Sequence, residues 1–151
     1  VTVAALLVGA QLGARRGVAF VVLVALLSNM LIGDGWWTMF QAAGWGAVAV
    51  LGSRLNFEQH GRFDMRLLCI ASVFAAFVFG LVATCSLIEP STTLSSFAFL
   101  LAQGLPYDAI HAVGNLAFAV WFGPAVYRFL GGFELPAGEE QPTGEGHVVH
   151  G

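Results

Sequence analysis

The sequence predicts an all-α fold, a polytopic bundle of membrane-spanning helices. Of its 151 residues, 58% are hydrophobic and only 10% are charged, and the mean hydropathy is +0.80. A water-soluble domain of this size cannot bury so many apolar side chains, so the chain needs lipid as its solvent. The apolar residues come in continuous runs and do not alternate. This pattern disfavours membrane strands, because an open sheet edge cannot face lipid.

Four uncharged runs are long enough to cross the hydrocarbon core of a bilayer, which takes about 17 to 25 residues. They cover residues 17–33, 35–53, 67–88 and 109–127. Residues 1–14 have the character of the remainder of a fifth span. We therefore expect about five transmembrane helices here, and a sixth before Val1 in the full-length protein.

Two loops and a tail connect and follow these runs. Residues 53–66 form a short polar loop with several charged side chains. Residues 89–106 contain prolines and a short apolar patch, which predict a surface or partly re-entrant cap with a short amphipathic helix. After residue 130 the chain is rich in Gly, Pro and Glu, which predicts a disordered tail over residues 131–151. The predicted organisation is one transmembrane domain, residues 1–130, followed by this tail.

The arginines predict how the chain is oriented, because basic residues accumulate in short loops on the cytoplasmic side. In the five-span arrangement all of them fall on one side. They are Arg15, Arg16, Arg54, Arg62, Arg66 and Arg128. The other side receives Asp34, Glu89 and Asp108 and no basic residue. We therefore expect a multi-pass protein of the cell membrane with a cytoplasmic C-terminus.

Composition also limits the partners and cofactors. The formal net charge is −3 and the chain has no lysine, so no basic patch is available for nucleic acid. Cys69 and Cys85 lie in one apolar run, roughly 24 Å apart along a helix with a rise of about 1.5 Å per residue. They are too distant for a disulfide and are predicted to be packing residues. We expect no metal and no cofactor.

Polar side chains inside apolar runs are costly, so each is weighed as a functional group and as packing. A first cluster begins with Asn29 and continues from Asp34 to Gln41. Trp36 and Trp37, at a helix start, fit an interfacial aromatic belt and ligand stacking equally well. Gln41 lies one turn from Trp37 on the same face. Its amide would bond either another helix or a bound small molecule.

A second cluster consists of Asp108, His111 and Asn115, which share one helical face at spacings i, i+3 and i+7. Pro106 suits a helix N-terminus, where Asp108 is also explained as a first-turn stabiliser. His111 and Asn115 would lie about 4 to 10 Å deeper at about 1.5 Å per residue, where polar groups facing lipid are penalised. With the first cluster they would line a pocket, open to the outside, for a small, partly aromatic, polar solute.

Two segments resemble the substrate-binding S components of energy-coupling factor (ECF) transporters. Residues 6–52, which contain Gly-Asp-Gly-Trp-Trp-Thr-Met-Phe-Gln, resemble the central helices of that family. Residues 104–130, which contain Asp-Ala-Ile-His-Ala-Val-Gly-Asn, resemble the final helix. Together these segments cover about half of the chain. Their order and spacing fit the second to sixth helices of a six-helix S component, so the first helix of the family is expected to be absent here.

The resemblance implies a subunit that binds a vitamin or related micronutrient from outside and docks on a shared transmembrane subunit driven by two ATPase subunits. The chain has no Gly-x-x-x-x-Gly-Lys-Ser/Thr loop, so ATP hydrolysis is expected in the partners and this chain is not expected to be an enzyme. In the family the pocket is built from the later helices and outer loops. The candidate substrate-binding residues here come from both polar clusters and are Asn29, Trp37, Phe40, Gln41, Asp108, His111 and Asn115.

Two other functions remain open. A small intramembrane metal-dependent enzyme would use Asp108 and His111, but no HExxH, GxSxG or second His and carboxylate cluster accompanies them. A noncatalytic membrane scaffold or assembly protein would use the polar face to bind a partner helix.

Overall fold

The computed structural model describes residues 1–59 and 62–131, and these residues are mostly helical. The four α-helices are α1 (Thr2–Ile32), α2 (Trp37–Gly52), α3 (Met65–Thr84) and α4 (Leu94–Gly131). A two-residue antiparallel hairpin, β1 (Glu58–Gln59) and β2 (Arg62–Phe63), precedes α3, and a 3-10 turn (Cys85–Leu87) extends it. The all-α prediction is therefore confirmed in its coarse form. The predicted disordered tail lies outside the described residues, apart from Gly131.

The prediction of five spans is wrong. Within the described residues, three helices are long and apolar enough to cross a membrane: α1, α3 with its 3-10 extension, and α4. Helix α2 has 16 residues, or about 24 Å, and falls short of a hydrocarbon core of about 30 Å. The outward faces are apolar, with Leu31 89% and Trp121 77% exposed. These features indicate a transmembrane protein.

The predicted spans 1–14 and 17–33 form one helix, α1, which is interrupted at Gly13. The backbone of Gly13 has φ 83° and ψ 165°, a conformation that glycine adopts at little cost. The resulting bend folds α1 back on itself. A Cβ built on Gly17 would lie 3.0 Å from the Cα of Gly9, although residues this far apart on a straight helix are separated by about 12 Å. The two predicted runs are therefore two helical segments that meet at Gly13, and together they form one of the three helices that are long and apolar enough to cross a membrane.

The half of α1 before Gly13 occupies the centre of the bundle. From Thr2 to Gly9 its side chains are buried, with the exception of the half-buried Ala4. A Cβ on Gly9 would overlap the carbonyl oxygen of Ala49, and a Cβ on Gly52 would overlap that of Leu6. Small residues allow helix backbones to approach closely in a membrane protein. The contact between α1 and α2 therefore depends on these two glycines.

The four helices close into a ring, because α1 packs on α2, α2 on α3, α3 on α4, and α4 on α1. Helices α3 and α4 meet through small residues. Ala71, Ala75 and Ala119 are buried, and a Cβ on Gly123 would approach the Leu68 side chain to 2.6 Å. These positions belong to the small-residue pairs that are visible in the sequence at four-residue spacing.

Helix α4 begins well before Pro106, the residue expected at its N-terminus. Thr93 and Ser96 exchange hydrogen bonds in front of the helix: the Thr93 amide donates to Ser96 Oγ at 2.8 Å, and the Ser96 amide donates to Thr93 Oγ1 at 3.2 Å. This reciprocal capping satisfies amide groups at the helix start. Pro106 lies inside the helix and only leaves the carbonyl of Ala102 without its usual donor. Ala102 is exposed, so that carbonyl is not sealed in the protein interior.

All six arginines lie around one end of the bundle, the arginine end. Gln11, next to the bend of α1, donates to the Tyr127 carbonyl at 3.5 Å. The Tyr127 hydroxyl donates to Glu58 Oε2 at 3.0 Å, and its ring packs against Phe63 at 4.6 Å. The bend of α1, the hairpin and the end of α4 therefore meet. Every arginine lies beside one of these three elements.

The opposite end of the bundle, the distal end, is defined by Asp34, Glu89 and Asp108. Asp34 precedes α2, and Glu89 follows the 3-10 turn after α3. Asp108 contacts Gly80 near the end of α3. The separation of the arginines from these three acids, expected from the sequence, is therefore present in the fold.

Candidate solute-binding site

Asp108 is the outermost member of the second cluster and is half-buried against α3. A Cβ on Gly80 would overlap its carboxylate, so the carboxylate occupies the space that the glycine leaves. Beside it, the Thr84 hydroxyl donates to the Gly80 carbonyl at 2.8 Å. The carboxylate has no hydrogen bond or ion pair with any described residue. Asp108 therefore keeps its acceptor oxygens available.

His111 lies one turn deeper and joins three helices. Its Nε2 shares a hydrogen bond of 3.0 Å with the Thr2 hydroxyl of α1. His111 and Phe79 of α3 pack edge to face, with their ring centroids 5.4 Å apart. Phe79 in turn stacks on Trp45 of α2 at 5.1 Å. The imidazole is thus held in position from α1 and α3.

Asn115 is the deepest member of the cluster, and its role is different. It is 7% exposed, and its Nδ2 donates to the Ser72 carbonyl at 3.2 Å. That bond links α4 to α3 across the buried interface. The amide satisfies a buried carbonyl, as helix-packing polar residues in membrane proteins do.

Two cavities meet at His111. The outer cavity has a volume of about 340 Å³, and the inner cavity about 270 Å³. The wall of the outer cavity includes Phe79, Gly80, Thr84, Tyr107, Asp108 and His111. The wall of the inner cavity includes Val3, His111, Gly114, Asn115 and Phe118. The three predicted residues of the second cluster therefore line neighbouring hollows.

The polar side chains of the first cluster form hydrogen bonds with one another and with their own loop. Asn29 is 6% exposed, and its Nδ2 donates to Gln41 Oε1 at 2.8 Å. Asp34 turns back to its own loop, where it accepts from the Thr38 hydroxyl at 2.6 Å and the Gly35 amide at 2.8 Å. These bonds connect the end of α1 to the start of α2.

The aromatic residues of the first cluster lie at the surface. Trp37 is 49% exposed, and its ring covers Gly35. Phe40 is half-buried and meets the edge of the Trp36 ring at 5.5 Å. None of Asn29, Trp37, Phe40 or Gln41 belongs to the wall of the outer or the inner cavity. The fold therefore brings the two clusters to the same end of the bundle without joining them in either cavity.

The candidate set missed the α3 side of the site. Phe79, Gly80 and Thr84 face Asp108 and His111 across the outer cavity, and Tyr107 completes the wall from α4. In the sequence these α3 residues belong to a continuous apolar run, which gives no polar signal. The one available signal was the small pair Ala76 and Gly80, which marks a face where another helix approaches.

A larger groove, of about 500 Å³, lies elsewhere on α3 and α4. Its wall consists of Cys69, Ile70, Val73, Phe74, Phe77 and Leu116. This wall is almost entirely apolar, and several of these side chains are exposed on the outer surface. A polar solute would find no hydrogen-bond partner here, so the groove fits lipid chains better.

The possible metal chemistry of Asp108 and His111 lacks further ligands in the described part of the chain. Within residues 1–59 and 62–131, no three His, Cys, Asp or Glu side chains are grouped closely enough to hold a metal ion. Protein metal sites normally use three or four such ligands.

No family model, curated protein or solved structure matches this chain. The site is therefore interpreted from its own geometry.

Proposed function

We propose that this chain is the membrane-embedded substrate-capture subunit of an ECF-type importer. In this proposal it binds a vitamin or related micronutrient from outside and passes it to a shared transmembrane subunit. Two ATPase subunits drive uptake, and this chain performs no catalysis itself. The resemblance of residues 6–52 and 104–130 to S components suggests the family.

The observation that carries the proposal is the outer cavity at the distal end. It combines aromatic rings, hydroxyl groups and the unpaired carboxylate of Asp108 in a volume of about 340 Å³. Small-molecule sites are typically hollows of about 300 to 1,000 Å³ with a few convergent polar groups. The wall offers stacking surfaces from Phe79 and Tyr107 together with polar groups that set the orientation of a solute. Such a wall suits a small, partly aromatic, polar solute.

The orientation of the chain follows from its charges in this proposal. Arginines accumulate on the cytoplasmic side of membrane proteins, so the arginine end would face the cytoplasm and the outer cavity the outside. Single cysteines at Ser53 and Glu89, in a background without Cys69 and Cys85, test this in intact cells. A membrane-impermeant maleimide should label the cysteine at position 89 and spare the one at position 53. The reverse pattern would overturn the orientation.

The proposed function is tested by identifying what the protein carries. The full-length protein is purified from its host in lipid discs and analysed by native mass spectrometry. We expect a bound small molecule, which His111→Ala should reduce by about tenfold, equivalent to about 1.4 kcal/mol of binding free energy. Gly46→Ala serves as a matched control, because a Cβ at that position meets nothing within 4 Å. Purification of a folded protein without any small molecule would contradict the proposal.

A further inference from the structure

We infer that the outer cavity selects an aromatic solute that carries a positively charged amine or another cationic nitrogen, and that Asp108 binds this group. The inference rests on the proposed function and deepens it by naming the class of solute. It rests on the charged residues around the cavity, on the aromatic rings in its wall and on the position of the Asp108 carboxylate beside Gly80.

The charge distribution around the cavity is one-sided. Among the described residues, Asp108 is the only acidic side chain in its wall, and no arginine lines it. All six arginines lie at the other end of the bundle. The Asp108 carboxylate is partly exposed to solvent, and a cation that enters the cavity would be attracted by its negative charge. A carboxylate or phosphate on the solute would instead be repelled by Asp108.

His111 does not replace a solute cation as the partner of Asp108. The two residues are one turn apart on α4, but the imidazole Nε2 is engaged by the Thr2 hydroxyl at 3.0 Å. The two side chains interact electrostatically, but neither a hydrogen bond nor an ion pair joins them. Thr84 is also committed, because its hydroxyl donates to Gly80. The Thr84 hydroxyl and the His111 Nε2 are thus engaged elsewhere, and no described side chain donates a hydrogen bond to Asp108.

The aromatic wall favours a cation that is attached to a ring. Phe79, Tyr107 and His111 contribute three rings to the cavity. Phe79 is fixed from behind by its stacking on Trp45. Ring faces attract cations and stack with other aromatic groups. A solute with both features would therefore engage the rings and the carboxylate together.

Gly80 makes the position of Asp108 possible. Its missing side chain leaves the space in which the carboxylate sits. The neighbouring Ala76 and Thr84 are buried along the same face of α3. The carboxylate therefore lies against the face of α3 that Gly80 leaves open.

The experiment compares three probes that share one ring system and differ in charge: tryptamine, tryptophol and indole-3-acetate. Their binding to the full chain in lipid discs is measured by calorimetry. We expect tryptamine to bind about tenfold more tightly than tryptophol and indole-3-acetate to bind most weakly. Asp108→Asn should remove the advantage of tryptamine and leave tryptophol within about twofold. Glu89→Gln, an exposed acid at the same end, should change nothing.

Equal affinities for the three probes, failure of tryptamine to bind, or a tryptamine preference that survives Asp108→Asn would each overturn the inference. The proposed function would still stand in these cases if a small molecule co-purifies and depends on His111. If Asp108→Asn does not yield folded protein, the order of the three affinities in the unaltered chain decides the question.

Discussion

The two polar clusters at the distal end both consist of polar residues in apolar stretches of sequence, but their structures differ. In the first cluster, Asn29 and Gln41 bond to each other at 2.8 Å and contribute to neither of the two cavities at His111. In the second, Asp108 has no hydrogen bond to any described residue, and His111 lies between those cavities. Both clusters place amides or charges in apolar helices, where polar groups require a reason. Their partners assign the first cluster to packing and leave the second as the proposed binding site.

Asn115 refines this comparison, because it belongs to the second cluster by sequence and to the packing residues by structure. Its amide is spent on the Ser72 carbonyl at 3.2 Å. Polarity at membrane depth is thus an incomplete indicator of function. The better indicator is a polar atom that the fold leaves available beside a hollow.

The largest effect is expected from Gly80→Ala, which tests the second cluster directly. The added Cβ would overlap the Asp108 carboxylate, and the flexible side chain would yield by moving away. We expect the protein to fold and to lose affinity for its co-purified solute by about tenfold or more. Solute retention in lipid discs, with Gly46→Ala as the control, measures the effect. Full retention of the solute by the Gly80 variant would show that binding does not depend on the position of the Asp108 carboxylate.

The first cluster should respond in the opposite way. Asn29→Leu, Gln41→Leu and the double variant form a cycle that isolates the hydrogen bond between the two amides. We expect a coupling free energy of about 0.6 to 1.7 kcal/mol, the range of interhelical hydrogen bonds in membrane proteins. Unfolding in mixed micelles measures it. Solute affinity should stay within about twofold, and a larger loss would reassign these amides to the binding site.

Asn115→Leu should cost stability more than binding. The substitution removes the interhelical donor to the Ser72 carbonyl, which keeps its bond within α3, so we expect a loss of about 1 kcal/mol in the free energy of unfolding. Asn115→Gln, which keeps the amide, should recover part of this loss. A tenfold drop in solute affinity without any change in the free energy of unfolding would assign Asn115, like His111, to solute binding.

The smallest effect is expected at Trp37, which decides between an interfacial aromatic belt and ligand stacking. The ring is 49% exposed and covers Gly35, so Trp37→Phe should change solute affinity by less than about twofold. Lipids brominated near the headgroup should quench the part of the tryptophan fluorescence that Trp37→Phe removes. Quenching by the solute in place of the lipid would favour stacking.

The helical character of the chain could be read from its sequence, and the number of spans could not. The run at residues 67–88 appears as a candidate span at Met65–Leu87, because an uninterrupted apolar run has few alternatives in lipid. The bend at Gly13 has no such signal, since glycine is common within membrane helices. Pro106 was misleading because Thr93 and Ser96 provide an earlier start for α4.

About half of the candidate site could likewise be predicted from the sequence. Asp108, His111 and Asn115 share a helical face by spacing alone, and the fold directs that face towards α3 and α1. The partners Phe79 and Gly80 carry no polar mark, so only the packing of α3 on α4 could reveal them. The pairing of Asn29 with Gln41 also needed the fold, because their spacing across a loop does not determine which groups an amide will meet.

The length of α4 relates the distal end of the bundle to the thickness of the membrane. The helix begins ten residues before Gly104, where it passes Thr84 at the end of α3, so about 15 Å of it projects past its neighbour at about 1.5 Å per residue. This projection carries exposed Leu94 and Phe99, which a thicker bilayer would draw into hydrocarbon. Hydrophobic mismatch is relieved by tilting or bending, and Pro106 is the weak point at which α4 would bend. The thickness of the bilayer would therefore decide how much of this projection lies in hydrocarbon.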